Sequence, residues 1–374
     1  MKHIRSVKRA VVDAQVFARA FNDVCAALPN SILPTLENVQ MHFGNGSCTL
    51  IATDLNVWLV EQIPSEGDTF TCAFQHSKLV NKLCRFYDGP LTVEINDGYN
   101  ENRPIRTIRL TCASRSAEFD AFLPDEVFPE LPEFTAETSL SACAETLYQR
   151  IDRVRYAALP DKGQNLLQRI SVQFDENHIF ALDGYRAACD TDMRLTFPAP
   201  MLLTAGALTH LKLFGTQNIS IEHDGKYARF SGAGLSIYIR LLEAKPFHLM
   251  DAVPKSFRET FSVSPKAFLH ELDFLKKAMP PKQKPYFQFW QGKVSLSSED
   301  TQCYTSISVD GRSQIEFGFN LPYMLDAMKQ FSQEKSVRLK VSSSLEPIVI
   351  EADGRNDFAM ILPIRLKCSA SRAA

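Results

Sequence analysis

Residues 179–190, IFALDGYRAACD, run as a short apolar strand into Asp183 and leave along a second apolar stretch, the pattern of a β-hairpin tip. Residues 49–60, TLIATDLNVWLV, repeat that pattern around Asp54. The echo predicts an internal repeat, and the helices upstream test its register. Phe17, Phe21, Val24 and Leu28 fall at i, i+4, i+7 and i+11, the stripe of an amphipathic helix. Leu147, Ile151, Val154 and Ala158 have the same spacing, and Phe268, Leu272, Leu275 and Met279 have it a third time, at steps of 130 and 121 residues.

A second stripe follows in each unit: Val80, Leu83 and Phe86, then Leu208, Leu211 and Phe214, then Leu325, Met328 and Phe331. Alternating strands come next, carrying Leu91, Val93 and Ile95, then Ile219 and Ile221, then Val337, Leu339 and Val341. A further strand closes each unit, over residues 118–123, 236–242 and 358–366. The pattern predicts an α+β unit used three times, with two helices on one face of antiparallel strands in the order helix, hairpin, helix, hairpin. The proline-punctuated stretches 124–132, PDEVFPELP, and 246–254, PFHLMDAVP, are read as extended linkers. They divide the chain into domains 1–128, 129–245 and 246–374. Units joined end to end in this way predict an arc with every helix facing the same side.

Local signals place the turns. Asp13 is suited to cap the first helix and Pro29 to end it. Asn45-Gly46 suits a type I′ hairpin turn, and Asp97-Gly98 and Asp224-Gly225 are read as further turns between strands.

The whole-chain numbers agree with a globular protein of this kind. At 374 residues, 45% of them hydrophobic, there is material for three cores, and no apolar run of about 18 residues marks a membrane span. No signal-peptide pattern is present. The nine cysteines are scattered with no CxxC pair, which predicts reduced thiols and a cytoplasmic protein. A net charge of −2 excludes a globally basic nucleic-acid binder. Over the six helical stretches, however, Lys and Arg exceed Asp and Glu by three, so positive charge gathers on the helical face. The candidates are Lys78, Lys82, Arg85, Arg150, Arg153, Lys212, Lys276, Lys277 and Lys329. Such a face would hold a polyanion without reading its sequence; the alternative is a set of solvated helix faces.

Catalytic chemistry finds no support. There is no GxxxxGK[ST] loop, and Gly232-Ala233-Gly234 lacks the third glycine of a dinucleotide fold. His270-Glu271 has no second His at zinc-protease spacing, and no Cys/His cluster suits a metal, so neither a metal nor a cofactor is expected. Asp54 and Asp183 sit at strand ends, where an Asp accepts backbone N–H groups more readily than it acts as acid or base.

Taken in order, several motifs resemble the bacterial DNA sliding clamps, the β subunit of DNA polymerase III. LPTLENV at 33–39 followed by ATDL at 52–55 is similar to that family's LPIL-N…ATDLE pattern. DGYR at 183–186 resembles TDGHR, and LPIRL at 362–366 resembles MPMRL. The resemblance covers nearly the whole chain. It implies a non-enzymatic processivity factor: a head-to-tail homodimer ring of six domains, with twelve helices around duplex DNA. It also implies a groove for short peptides of the replicative polymerase, the clamp loader and other partners. By position the groove residues are Leu167, Leu182, Gly184, Tyr185, Arg186, Phe247, Leu345, Pro347, Met360, Leu362, Pro363, Ile364 and Arg365. Ala278 and Met279 match interface positions, and Phe119 is assigned to the opposing edge strand.

The sequence departs from the pattern at Leu182 in place of Thr, at Tyr185 in place of His, and in a second linker that has Asp251 and no arginine. Residues 160–166 lack the aromatic pair that some clamps direct at DNA. A diverged or accessory clamp, or a clamp-like protein scaffold that does not bind DNA, stands as the alternative.

Overall fold

The computed structural model describes residues 2–29, 33–101, 103–124, 126, 128–160, 166–278, 286–290, 293–297, 305–309 and 315–365. One order of elements occurs three times: a strand, a helix, a set of four strands (with the two-residue β5 added in the first repeat), a second helix, and three closing strands. The first repeat is β1 (Lys2–Asp13), α1 (Ala14–Val24), β2 (Gln40–Gly44), β3 (Ser47–Thr53), β4 (Val57–Pro64), the two-residue β5 (Glu66–Gly67), β6 (Phe70–Ala73), α2 (Ser77–Cys84), β7 (Pro90–Asn100), β8 (Arg103–Cys112) and β9 (Arg115–Asp120). The second is β10 (Thr138–Cys143), α3 (Ala144–Arg155), the one-turn α4 (Leu167–Ile170), β11 (Ser171–Glu176), β12 (His178–Leu182), β13 (Arg186–Thr191), β14 (Phe197–Thr204), a 3-10 helix (Ala207–Phe214), β15 (Asn218–His223), β16 (Tyr227–Gly232) and β17 (Leu235–Arg240). The one-turn α5 (Leu249–Ala252) leads into the third: β18 (Glu259–Val263), α6 (Pro265–Ala278), β19 (Tyr286–Trp290), β20 (Lys293–Ser297), β21 (Ser306–Ser308), β22 (Glu316–Gly318), α7 (Leu321–Gln330), β23 (Val337–Val341), β24 (Ile348–Glu351) and β25 (Asp357–Ile361).

Backbone contacts gather the chain into two compact units, Met1–Leu147 with Thr209–Leu241 and Tyr148–Leu208 with Leu242–Ala374. Each unit holds one eight-stranded sheet, because strands of consecutive repeats pair directly. In the first unit the order is β10-β15-β16-β17-β4-β3-β2-β6, joined where β17 pairs antiparallel with β4. In the second it is β14-β11-β12-β13-β25-β24-β23-β18, joined where β13 meets β25. Two smaller sheets remain, β5-β1-β7-β8-β9 in the first unit and β21-β20-β19-β22 in the second.

Within each unit the helices bury the stripes that the spacing predicts. Phe17, Phe21 and Val24 of α1 are fully buried and the helix packs on β3, β4 and α2, with Asp13 accepting from the N–H groups of Gln15 and Val16 as its cap. Phe268, Leu272 and Leu275 of α6 share a core with Met324, Leu325 and Met328 of α7 and with Leu339, Ile348, Ile350 and Ile361 of the sheet. The tight turn at Asn45-Gly46 has φ of 53° and 77°, both positive as a two-residue type I′ hairpin requires.

Four expectations are corrected. Phe86 is 63% exposed, since α2 buries Val80 and Cys84 and ends there, and the buried aromatic beyond it is Tyr87. Asp97-Gly98 lies inside β7, paired with Arg106 and Ile105 of β8; the chain turns only after Asn100, at Glu101 with φ 49°. The second linker is not wholly extended, because Leu249 is buried and the residues around it close a helical turn. Each repeat also has more strands than two hairpins. Met279 lies outside the described residues.

Candidate functional site

Side chains alternate across a strand, so the second unit's sheet has two faces with different tasks. One face, with Ile348, Ile350, Ala359 and Ile361, is the core beneath α6 and α7. The other carries Phe180, Leu182, Ala187, Cys189, Val349, Phe358 and Met360, and is covered by Leu249 of α5 with Val253 and Phe257. Gln173 fixes the segment that leads into α5, its Oε1 accepting from the Phe247 N–H at 2.9 Å. Beside this second cluster opens a cavity of about 710 Å³. Its walls are Leu166, Gln168 and Arg169 on one side, Leu182 and Gly184 at the hairpin tip, and residues 245–248, Asp251 and Ala252 on the other.

The tip is built by an Asx turn. Asp183 Oδ1 accepts from the N–H groups of Tyr185 (2.8 Å) and Arg186 (3.0 Å), and Gly184 adopts φ +91° between them. Asp54 makes the same two bonds to Asn56 and Val57, with Leu55 at φ 73°. Both aspartates are therefore turn formers, and the echo in sequence is an echo of turn geometry.

Of the expected groove residues, Leu182, Gly184 and Phe247 line the cavity, and Met360 lies under it in the cluster with Leu182. Leu167 is half-buried between the lining residues Leu166 and Gln168. Tyr185 is 59% exposed, and its carbonyl accepts from the Leu362 N–H at 2.8 Å, which brings Leu362 beside the tip. Leu345 is exposed, Pro347 and Pro363 are half-buried, Ile364 bonds to Gly318 through its N–H, and Arg365 is exposed.

Arg186 departs from expectation. It falls with Ala188 and Asp190 on the helix side of the sheet, where Nε meets Asp183 (3.1 Å) and Nη1 meets Asp326 of α7 (2.9 Å). Its guanidinium covers the rings of Tyr323 (4.4 Å) and Tyr156 (5.6 Å), whose hydroxyls are pushed to higher pKa chiefly by burial. Arg186 braces the turn from behind and does not line the cavity.

Arg150 is the second correction. Only 4% exposed, it is bonded through Nε to the buried Asp190 and cannot face a polyanion. Arg153 also reaches Asp190, at 3.0 Å, while staying half-exposed. Lys78, Lys82, Arg85, Lys212 and Lys276 are exposed. Lys277 pairs with Asp273 at 2.7 Å and Lys329 with Asp326 at 3.6 Å, both at the surface. Ala278 is exposed at the end of α6, and Phe119 lies on β9, an edge strand, with its ring 5.6 Å from Phe74.

Sequence reasoning missed Arg169, Lys245, His248 and Ala252 of the cavity wall. The one-turn helices that carry or flank them are too short to show periodicity. Among the described residues no group of three or more His, Cys, Asp or Glu side chains is placed to hold a metal ion, and no helix is long and apolar enough to cross a membrane.

No family model matches the chain. It is 24% identical to the β sliding clamp of Pseudomonas putida over 357 residues, covering 89% of this chain and 93% of that protein. Against the β sliding clamp of Salmonella typhimurium it is 20% identical over 358 residues, with the same coverage. The structure of a DNA polymerase III β subunit from Eubacterium rectale superposes with a TM-score of 0.84 at 17% identity, spanning 96% of this chain and all of that one. The fold is that of a bacterial sliding clamp. At these identities the chain is a diverged relative of the clamps, and the correspondence runs over nearly its whole length.

Proposed function

We propose that this chain is a DNA polymerase processivity factor, a non-catalytic clamp that closes into a head-to-tail homodimer around duplex DNA. The observation that carries this reading is a pair of matching unpaired strands. Each eight-stranded sheet joins a half of the type β10-β15-β16-β17, or β18-β23-β24-β25, to a half of the type β4-β3-β2-β6, or β13-β12-β11-β14. Among the described residues two halves are left without mates: β1-β7-β8-β9, with β9 at its edge, and β21-β20-β19-β22, with β21 at its edge. These edges correspond to β17 and β25, and to β4 and β13, which are paired. An unpaired edge is a template for another chain. Pairing β9 of one copy with β21 of a second builds a third junction sheet, nine strands with the two-residue β5 counted, and two such junctions close a ring. Phe119 on β9, with Ala278 and Met279 at and beyond the end of α6, would lie at that junction.

In this reading the chain has clamp domains 1–128, 129–245 and 246–374 and acts in the cytoplasm. Lys78, Lys82, Arg85, Arg153, Lys212, Lys276 and Lys277 face DNA loosely, since tight phosphate contacts would stop sliding. The cavity beside Leu182, Phe247 and Met360, with Leu362 at its margin, receives short peptides of the replicative polymerase, the clamp loader and other partners, its apolar walls supplying the anchor energy.

Light scattering tests the ring. The expected mass is twice 42.1 kDa at micromolar and at nanomolar protein. Ser116→Pro, which deletes an N–H on the side of β9 that faces away from β8, should lower it to the monomer. A monomer at every concentration in the unmodified chain would refute topological tethering and leave a protein scaffold as the better reading.

A further inference from the structure

Resting on the reading of the cavity as a peptide groove, we propose that Arg169 makes it selective for a linear peptide that carries a carboxylate beside its apolar anchor. Arg169 comes from α4 and lies flat on the hairpin tip. A methyl carbon placed on Gly184 would sit 2.9 Å from its Nη2 and 3.0 Å from its Cζ, so the guanidinium packs directly on bare glycine backbone. It lines the cavity opposite Phe247 and the residues after it.

The neighbouring arginines of the same unit are spent: Arg150 on Asp190, Arg186 on Asp183 and Asp326, Arg355 on Asp357 and Glu334. Among the described residues the Arg169 guanidinium has no carboxylate partner. Lys245 adds a second cation to the wall, against the single acid Asp251. The apolar floor takes an anchor side chain, with Leu182 buried and Leu166 and Phe247 open to solvent. A planar guanidinium fixed by its stack on Gly184 offers parallel N–H donors to a carboxylate in two-point geometry, which a lysine cannot reproduce. Apolar walls beside a preset cation fit a peptide with an Asp or Glu next to a large aliphatic residue.

The test uses the full-length chain and fluorescence polarisation of two labelled short peptides, each with two leucines, one flanked by Asp and the other by Asn. The unmodified protein should hold the Asp peptide about tenfold more tightly, the size of one charge-assisted contact at a partly exposed site. Arg169→Gln should abolish that preference, bringing the affinities for the two peptides together, and Arg169→Lys should keep only part of it. Arg169→Glu should shift preference to a Lys-flanked peptide. Gly184→Ala displaces the guanidinium without changing its charge and should lose the preference as well. An undiminished preference in Arg169→Gln overturns the assignment. Equal binding of both peptides by the unmodified protein overturns Arg169's role and leaves the groove standing, whereas binding of neither overturns the groove reading too.

Discussion

Replacing Arg150 by Met should loosen the strand junction that holds the second unit's sheet together. The side chains of Arg150 and Asp190 are 5% and 3% exposed, so the substitution strands a carboxylate that water barely reaches. Asp190 on β13 is the register partner of Asp357 on β25, and like charges directly opposite one another oppose strand pairing. The junction tolerates them because Arg150 and Arg153 hold the first while Arg355 holds the second through Nε at 2.7 Å. Removing one partner of a buried pair costs about 3–5 kcal/mol, and because Arg153 remains at 3.0 Å the lower figure applies, about 3 kcal/mol. If opening of the junction governs exchange, amides of β13 and β25 should exchange roughly 100-fold faster, read by hydrogen exchange and mass spectrometry. Adding Asp190→Asn should restore most of the protection, as a double-mutant cycle requires. Unchanged exchange in β13, or equal acceleration in the first unit's sheets, would refute the reasoning. The same variant should leave the salt dependence of DNA retention untouched.

Glu61 gives a pH-dependent prediction. Its carboxyl lies above the ordinary value, first through burial and then through Asp23, with Arg19 3.5 Å away and, among the described residues, no hydrogen-bond partner for Oε2. A raised acid binds its proton more tightly folded than unfolded, so its contribution favours the fold at low pH and is lost as pH rises through the folded value. Glu61→Gln should therefore stabilise the first unit by about 1–3 kcal/mol in thermal melts at neutral pH, and the gain should vanish in acid below the normal carboxylate range. Cys143 should be alkylated ahead of Cys48 and Cys84. Hydrogen bonds from Thr146 lower its thiol pKa, whereas burial pushes the other two up to about 12; equal labelling in a timed mass-spectrometric series would contradict this. Neutralising Lys78, Lys82 and Arg85 together should flatten the salt dependence of retention on circular DNA, and an unchanged slope would remove α2 from the DNA face. Met360→Ala with Leu362→Ala should abolish peptide binding while the solution mass stays the same.

Periodicity carried most of the fold. The stripes at Phe17, Leu147 and Phe268 are satisfied helix cores because an amphipathic helix can bury only the residues that recur every third or fourth position. The turns at Asp54 and Asp183 were legible because an Asx turn depends only on the aspartate and the two N–H groups that follow it. Those local rules determine the threefold repeat and the hairpin tip. They do not determine which strands of different repeats pair, since β17 with β4 and β13 with β25 are contacts between distant segments. Only the tertiary structure separated Arg150 from Lys82 and Arg85: all three are helix cations in sequence, yet one lies under a sheet facing a buried aspartate. The same holds for Arg186, adjacent in sequence to the cavity residues but projected to the opposite face by the period of the strand, and for Arg169, brought onto Gly184 by a single helical turn. A charge has a function only through what lies within a few ångströms of it, and that distance is set by packing rather than by composition.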